Sequence, residues 1–116
     1  MREIEDGLLR GDEAATLAFN MYEYRIRKYI GAYSASLNGI DALIFTAGVG
    51  ENSPILRKQI CDHLSYLGIE LDEEVNEVFS KEARVISSQN SQVKVLVIPT
   101  NEELMIARDT QRLVGR

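Results

Sequence analysis

The sequence has no tryptophan, one cysteine, one histidine and two prolines, and each scarcity removes a class of chemistry. Cys61 alone excludes an internal disulfide framework and a cysteine-rich zinc site. Its neighbours Ile60 and Leu64 point to a partly buried helix position and a structural thiol rather than a nucleophile. His63, the sole histidine, has no second histidine to share a metal or a triad with, and a surface or capping role is expected. No run approaches the roughly 20 apolar residues that span a bilayer, and Met1 to Asp6 lack the apolar core of a signal peptide. A cytoplasmic protein without a membrane partner is the expectation. The net charge is only -5, and acids and bases alternate along the chain, so no basic stripe exists to track a nucleic acid.

What is present is the composition of a folded domain: 116 residues, 45% of them apolar, expected to form one domain over residues 1–116. Asp12 caps a predicted helix running to about Leu37, free of proline and rich in good helix formers. Its apolar residues, Leu17, Phe19, Met21, Tyr22, Tyr24, Ile26, Tyr29, Ile30 and Tyr33, nearly encircle it, so it should pack on more than one surface. Tyr22, Tyr29 and Tyr33 are assigned to a core or an interface, and Arg25, Arg27 and Lys28 to a solvated face. Asn38-Gly39 is a turn, and the apolar run Ala42 to Thr46 has the form of a buried central strand. After a loop from Ala47 to Asn52, Ser53 and Pro54 open a helix that Gly68 closes, giving Pro54 to Leu67 with Leu56, Ile60, Leu64 and Leu67 inward.

The remainder alternates. Ile69 to Leu71 is a candidate strand, and Asp72 opens a short helix with Val75, Val78 and Phe79 inward. Ala83 to Ile86 is a modest strand, Ser87 to Gln92 a polar turn, and Val93 to Ile98 a strong β-branched strand stopped by Pro99. A last helix is expected from Asn101 to about Leu113. Strands alternating with helices indicate an α/β fold with a mostly parallel or mixed sheet and flanking helices.

Two loops stand where such folds bind ligands, at the carboxyl ends of strands ahead of helix N-termini. Gly48 and Gly50 in the first permit close backbone approach, and Asn52 adds an amide able to read a base or a ribose. A tight turn that binds nothing is the plain alternative. A dinucleotide fingerprint fails because Ser53 stands at the third glycine position, and no Gly-Lys-Ser or Gly-Lys-Thr supports a Walker loop. In the second loop Thr100 and Glu103 have capping-box spacing, which leaves Glu102 as a hard oxygen ligand suited to magnesium, or as a favourable charge at a helix start.

Phe45-Thr46-Ala47-Gly48-Val49-Gly50-Glu51-Asn52 together with Val97-Ile98-Pro99-Thr100-Asn101-Glu102-Glu103 resembles the acetate kinase family. The likeness runs through Arg27 to Tyr33 and Leu67-Gly68 to the terminal helix. It implies the C-terminal nucleotide-binding part of a longer two-domain kinase of the acetate and sugar kinase, Hsc70 and actin superfamily, with a partial actin-like, ribonuclease H-like domain. The resemblance implies that Gly48, Val49, Gly50, Glu51 and Asn52 belong to an adenosine pocket, with Val49 in place of a common isoleucine. It implies that Arg2 packs near the adenine and that Glu102 binds Mg2+, with ATP or ADP as nucleotide and a homodimer as the assembly. The carboxylate pocket and the catalytic residues of that family lie upstream of everything present, so the chain alone is expected to be inactive. A propionate kinase piece or a non-catalytic oligomerisation piece are the alternatives.

Overall fold

The computed structural model describes residues 2–99. The predicted helix at 101–113, the Thr100–Glu103 capping box and Glu102 lie outside them. The chain opens with a helix the sequence analysis did not assign, α1 (Arg2–Leu9), which turns at Gly11 into α2 (Glu13–Ser36). Asp12 caps α2 as expected: one carboxylate oxygen accepts from the amides of Ala14 at 2.9 Å and Ala15 at 3.2 Å. The two helices cross closely because Gly7 has no side chain; a Cβ there would lie 2.5 Å from that of Ala15.

A five-residue strand, β1 (Ala42–Thr46), is followed by a short kinked helical segment, α3 (Ala47–Asn52), and by α4 (Pro54–Asp62). The sequence led to an expected loop at 47–52, and the backbone there instead coils, with the break concentrated at its start. The expected helix to Leu67 is also two pieces: α4 stops at Asp62, and a 3-10 turn, Ser65–Leu67, continues to a left-handed Gly68 with φ 85. Leu56, Ile60 and Leu64 are buried as expected.

After α5 (Glu73–Glu77), the chain forms β2 (Arg84–Val85) and β3 (Lys94–Ile98). The sheet is mixed, in the order β1-β3-β2, with β1 parallel and β2 antiparallel to β3. This bears out the α/β assignment with two corrections of detail. The central strand is β3, buried from Val95 to Ile98, whereas β1 is an edge of the described sheet with Ile44 exposed. Residues 69–71 contribute only an isolated bridge, Leu71 to Ser87.

The core gathers Phe19 of α2, Leu56, Ile60 and Cys61 of α4, Ile86, and the β3 residues Val95 and Val97. Apolar side chains on one side of α2 reach it, and Glu23 lies buried between α2 and α4. Its carboxylate accepts from Arg27 Nε at 2.9 Å and Gln59 Nε2 at 3.2 Å, with His63 Nδ1 at 3.5 Å. Arg27, expected on a solvated face, is therefore half-buried and paired. The tyrosines are not core: Tyr22, Tyr29 and Tyr33 are exposed, as are Leu17 and Met21. Cys61 is fully rather than partly buried. Burial, then the neighbouring Asp62 charge, push its thiol up to about 12, which fits an inert structural role. No helix among the described residues is long and apolar enough to cross a membrane.

Candidate functional site

Parallel pairing of β1 with β3 brings the ends of the two strands that precede the loops singled out in the sequence to one sheet edge. The register aligns Thr46 with Ile98, and the Thr46 hydroxyl donates to the Ile98 carbonyl at 2.6 Å, so both strands end level. Thr46 makes no side-chain cap for α3. Immediately beyond, the backbone enters the left-handed region at Ala47, φ 58, and Gly48, φ 33 with ψ -103. An alanine held there costs about 1–2 kcal/mol, a strain found where surrounding contacts enforce it. Gly48 accepts its angles because it has no Cβ.

The backbone that follows this turn is held by Arg57, a residue the sequence analysis passed over. Arg57, on α4, is 1% exposed. Its guanidinium donates to the carbonyls of Gly50 at 3.1 Å and Glu51 at 2.9 Å, and to the Asn76 side-chain oxygen at 2.8 Å and backbone oxygen at 2.6 Å. Asn76 in turn donates to the Pro54 carbonyl at 3.0 Å. One planar fork thus joins α3, α4 and α5, satisfying carbonyls that would otherwise be buried without donors. Burial, then the nearby charge of Arg84, lower the Arg57 pKa to about 10, so the group remains cationic at neutral pH.

Ser53 serves both neighbouring helices. Its amide donates to the Val49 carbonyl at 2.9 Å, ending α3, and its hydroxyl accepts from Leu56 N at 3.2 Å, beginning α4. The same hydroxyl donates to the Glu5 carboxylate, which fastens α1 beside the glycine turn. Arg2 is thereby brought to the cleft that Gly48, Val49 and Asn52 form, a space of about 530 Å³. Phe79, with 80% of its surface exposed, stands on the same rim. Its position corrects the inward assignment of Val78 and Phe79: α5 ends at Glu77, so neither continues its buried side.

Of the predicted site residues, Arg2, Gly48, Val49 and Asn52 converge. Gly50 lies instead on a second cleft of about 410 Å³ with Tyr22, Ile26 and Ile44, which Gly48 and Val49 also border. Glu51 lines neither; its carbonyl is bound to Arg57, and its charge favours the cationic form of Arg84. Among the described residues no group of three or more His, Cys, Asp or Glu side chains is placed to hold a metal.

A family model described as the acetokinase family matches residues 1–108. The chain belongs to the acetokinase family. Within that family it is 61% identical over 117 residues to the acetate kinase of Fervidobacterium nodosum, covering 100% of this chain and 29% of that relative. It is 58% identical over 118 residues to the acetate kinase of Thermotoga maritima, with the same coverage. The crystal structure of Porphyromonas gingivalis acetate kinase matches with a TM-score of 0.80 at 50% identity, over 97% of this chain and 28% of that one. A propionate kinase from Francisella tularensis matches with a TM-score of 0.76 at 41% identity, again over 97% and 28%. The chain thus spans less than a third of the length of the acetokinases it matches.

Proposed function

We propose that this chain is the C-terminal nucleotide-binding portion of an acetate kinase, transferring the terminal phosphoryl group of ATP to acetate to give acetyl phosphate. The observation that carries this reading is the convergence of Arg2 with Gly48, Val49 and Asn52 on one cleft, although they stand far apart in the sequence. In this reading Val49 supplies an apolar face for the adenine, and Arg2 and Asn52 supply polar contacts at its edge and at the ribose. Gly50 and Glu51 act through the backbone that Arg57 holds, because their carbonyls are already committed to its guanidinium. A preformed backbone turn binds without the entropy cost of ordering it.

Glu102 is the proposed ligand of Mg2+. It follows β3 by four residues in the sequence, and β3 ends level with β1, the strand that leads into the glycine turn. Bound there with the nucleotide, magnesium neutralises charge on the transferring phosphate. The groups that position acetate and stabilise the transferred phosphoryl belong to the remainder of the enzyme, so this chain alone does not turn over. A cytoplasmic homodimer is the proposed setting. The exposed apolar residues of α2, Leu17, Met21 and Tyr33, support subunit or domain contact there. Propionate is the second acceptor to consider, because a propionate kinase shares this fold at 41% identity.

The test is to exchange this chain for the matching segment of the Fervidobacterium nodosum relative and assay acyl phosphate formation with ATP, Mg2+ and either acetate or propionate. The hybrid is expected to form acetyl phosphate and the isolated chain none. A folded but inactive hybrid, or turnover by the isolated chain, would contradict the proposal.

A further inference from the structure

We propose that Phe79 forms a second apolar wall for the nucleotide base, in the same cleft that Gly48 and Val49 line. This inference rests on the nucleotide reading of the cleft given above. A purine has two apolar faces and a polar edge, and a pocket for it needs apolar surface together with donors and acceptors at the rim. The cleft lining has that division. Val49 and Phe79 are its apolar side chains, while Arg2, Glu5, Asn52 and Ser53 are its polar ones.

Among the described residues nothing covers Phe79. At 80% exposed it contributes little to the core, whereas the aromatic residues Phe19 and Phe45 are buried. Its loop is nonetheless held. Arg84 donates to the carbonyls of Val78 and Ser80 on either side of Phe79, both at 3.1 Å, and to that of Glu82 at 3.2 Å. Asn76, three residues earlier, is fixed to Arg57, which also holds the glycine turn. The glycine turn and the segment leading to Phe79 are therefore tied to a common support, and the ring is presented on an organised backbone. Stacking on an aromatic face is favourable for any base and is strongest when the ring is positioned in advance.

The experiment uses the full-length enzyme that carries this segment, with Phe79→Ala and Phe79→Trp variants. Binding of Mg-ATP is measured by titration calorimetry, and binding of magnesium tripolyphosphate, which has no base, by the same method. Thermal melting checks the fold, which an exposed side chain should leave intact. Phe79→Ala is expected to raise the ATP Kd about tenfold, the order of one lost base–aromatic stack, with tripolyphosphate binding at the parent value. Phe79→Trp is expected to restore ATP affinity. An unchanged ATP Kd in Phe79→Ala, or an equal loss for ATP and tripolyphosphate, would overturn the role of Phe79 while leaving the nucleotide site standing. Failure of the parent enzyme to bind ATP would remove the site itself and this inference with it.

Discussion

Arg57 and Arg84 each grip backbone carbonyls beside the same cleft, yet they do so in different ways. Arg57 is buried and reaches across three helical elements, with its side-chain nitrogens bonded to Gly50, Glu51 and Asn76. Arg84 is half-buried and, among the described residues, binds only the loop immediately before it, its Nε finding no partner there. Burial lowers the pKa of both, each is close enough to matter to its surroundings, and the charge of Arg84 lowers that of Arg57 further. The difference separates a residue that assembles the site from one that shapes a single wall. Long-range carbonyl capture constrains the fold, whereas local capture constrains only a loop.

Arg57→Ala breaks this comparison most severely. Removing the fork strands the Gly50, Glu51 and Asn76 oxygens, and a loss of about 3–5 kcal/mol is expected in chemical denaturation. Arg57→Lys should recover little of it, since one ammonium cannot reproduce the planar set of donors. Ser53→Ala comes next at about 1–2 kcal/mol, as it removes a helix cap and the link to Glu5. Arg84→Ala should cost about 1 kcal/mol, measured in the same way, because its three bonds are local and partly open to water. A larger loss than for Arg57→Ala would invert the ranking.

A smaller effect concerns Cys61, one turn from Arg57. Its folded pKa, about 12, lies above the ordinary thiol value of 9.0, so between these values the folded state retains a proton that the unfolded chain gives up. The stability from this group is complete below pH 9, and it is lost as pH rises toward 12. Cys61→Ala should flatten that part of the stability profile in alkaline denaturation. An unchanged slope would remove the assignment.

Much of this architecture was legible in the residues. Asp12, Ser53-Pro54 and Asp72 mark helix starts because capping chemistry is local, and the structure shows all three accepting amide bonds. The glycine turn after β1 was legible as a sharp turn at a strand end for the same reason. What stayed hidden depends on partners distant in sequence. β1 and β3 are equally apolar, and only the strand order makes β3 central and β1 an edge. Arg57 resembles any charged residue on an amphipathic helix until α3 and α5 close around it. Likewise, the exposed tyrosines of α2 carry an apolar pattern without saying what covers it. Phe79 was placed inward because it extends the apolar spacing of α5, and the helix ends two residues too early for that spacing to apply.

The most direct test of the proposed nucleotide cleft is amide chemical-shift mapping on the isotope-labelled chain titrated with Mg-ATP. The account predicts saturable shifts at Arg2, Gly48, Val49, Asn52 and Phe79, weak in affinity because the rest of the enzyme is missing, with Tyr33 unmoved. Saturation without change at these residues, or no response at millimolar nucleotide, would contradict it.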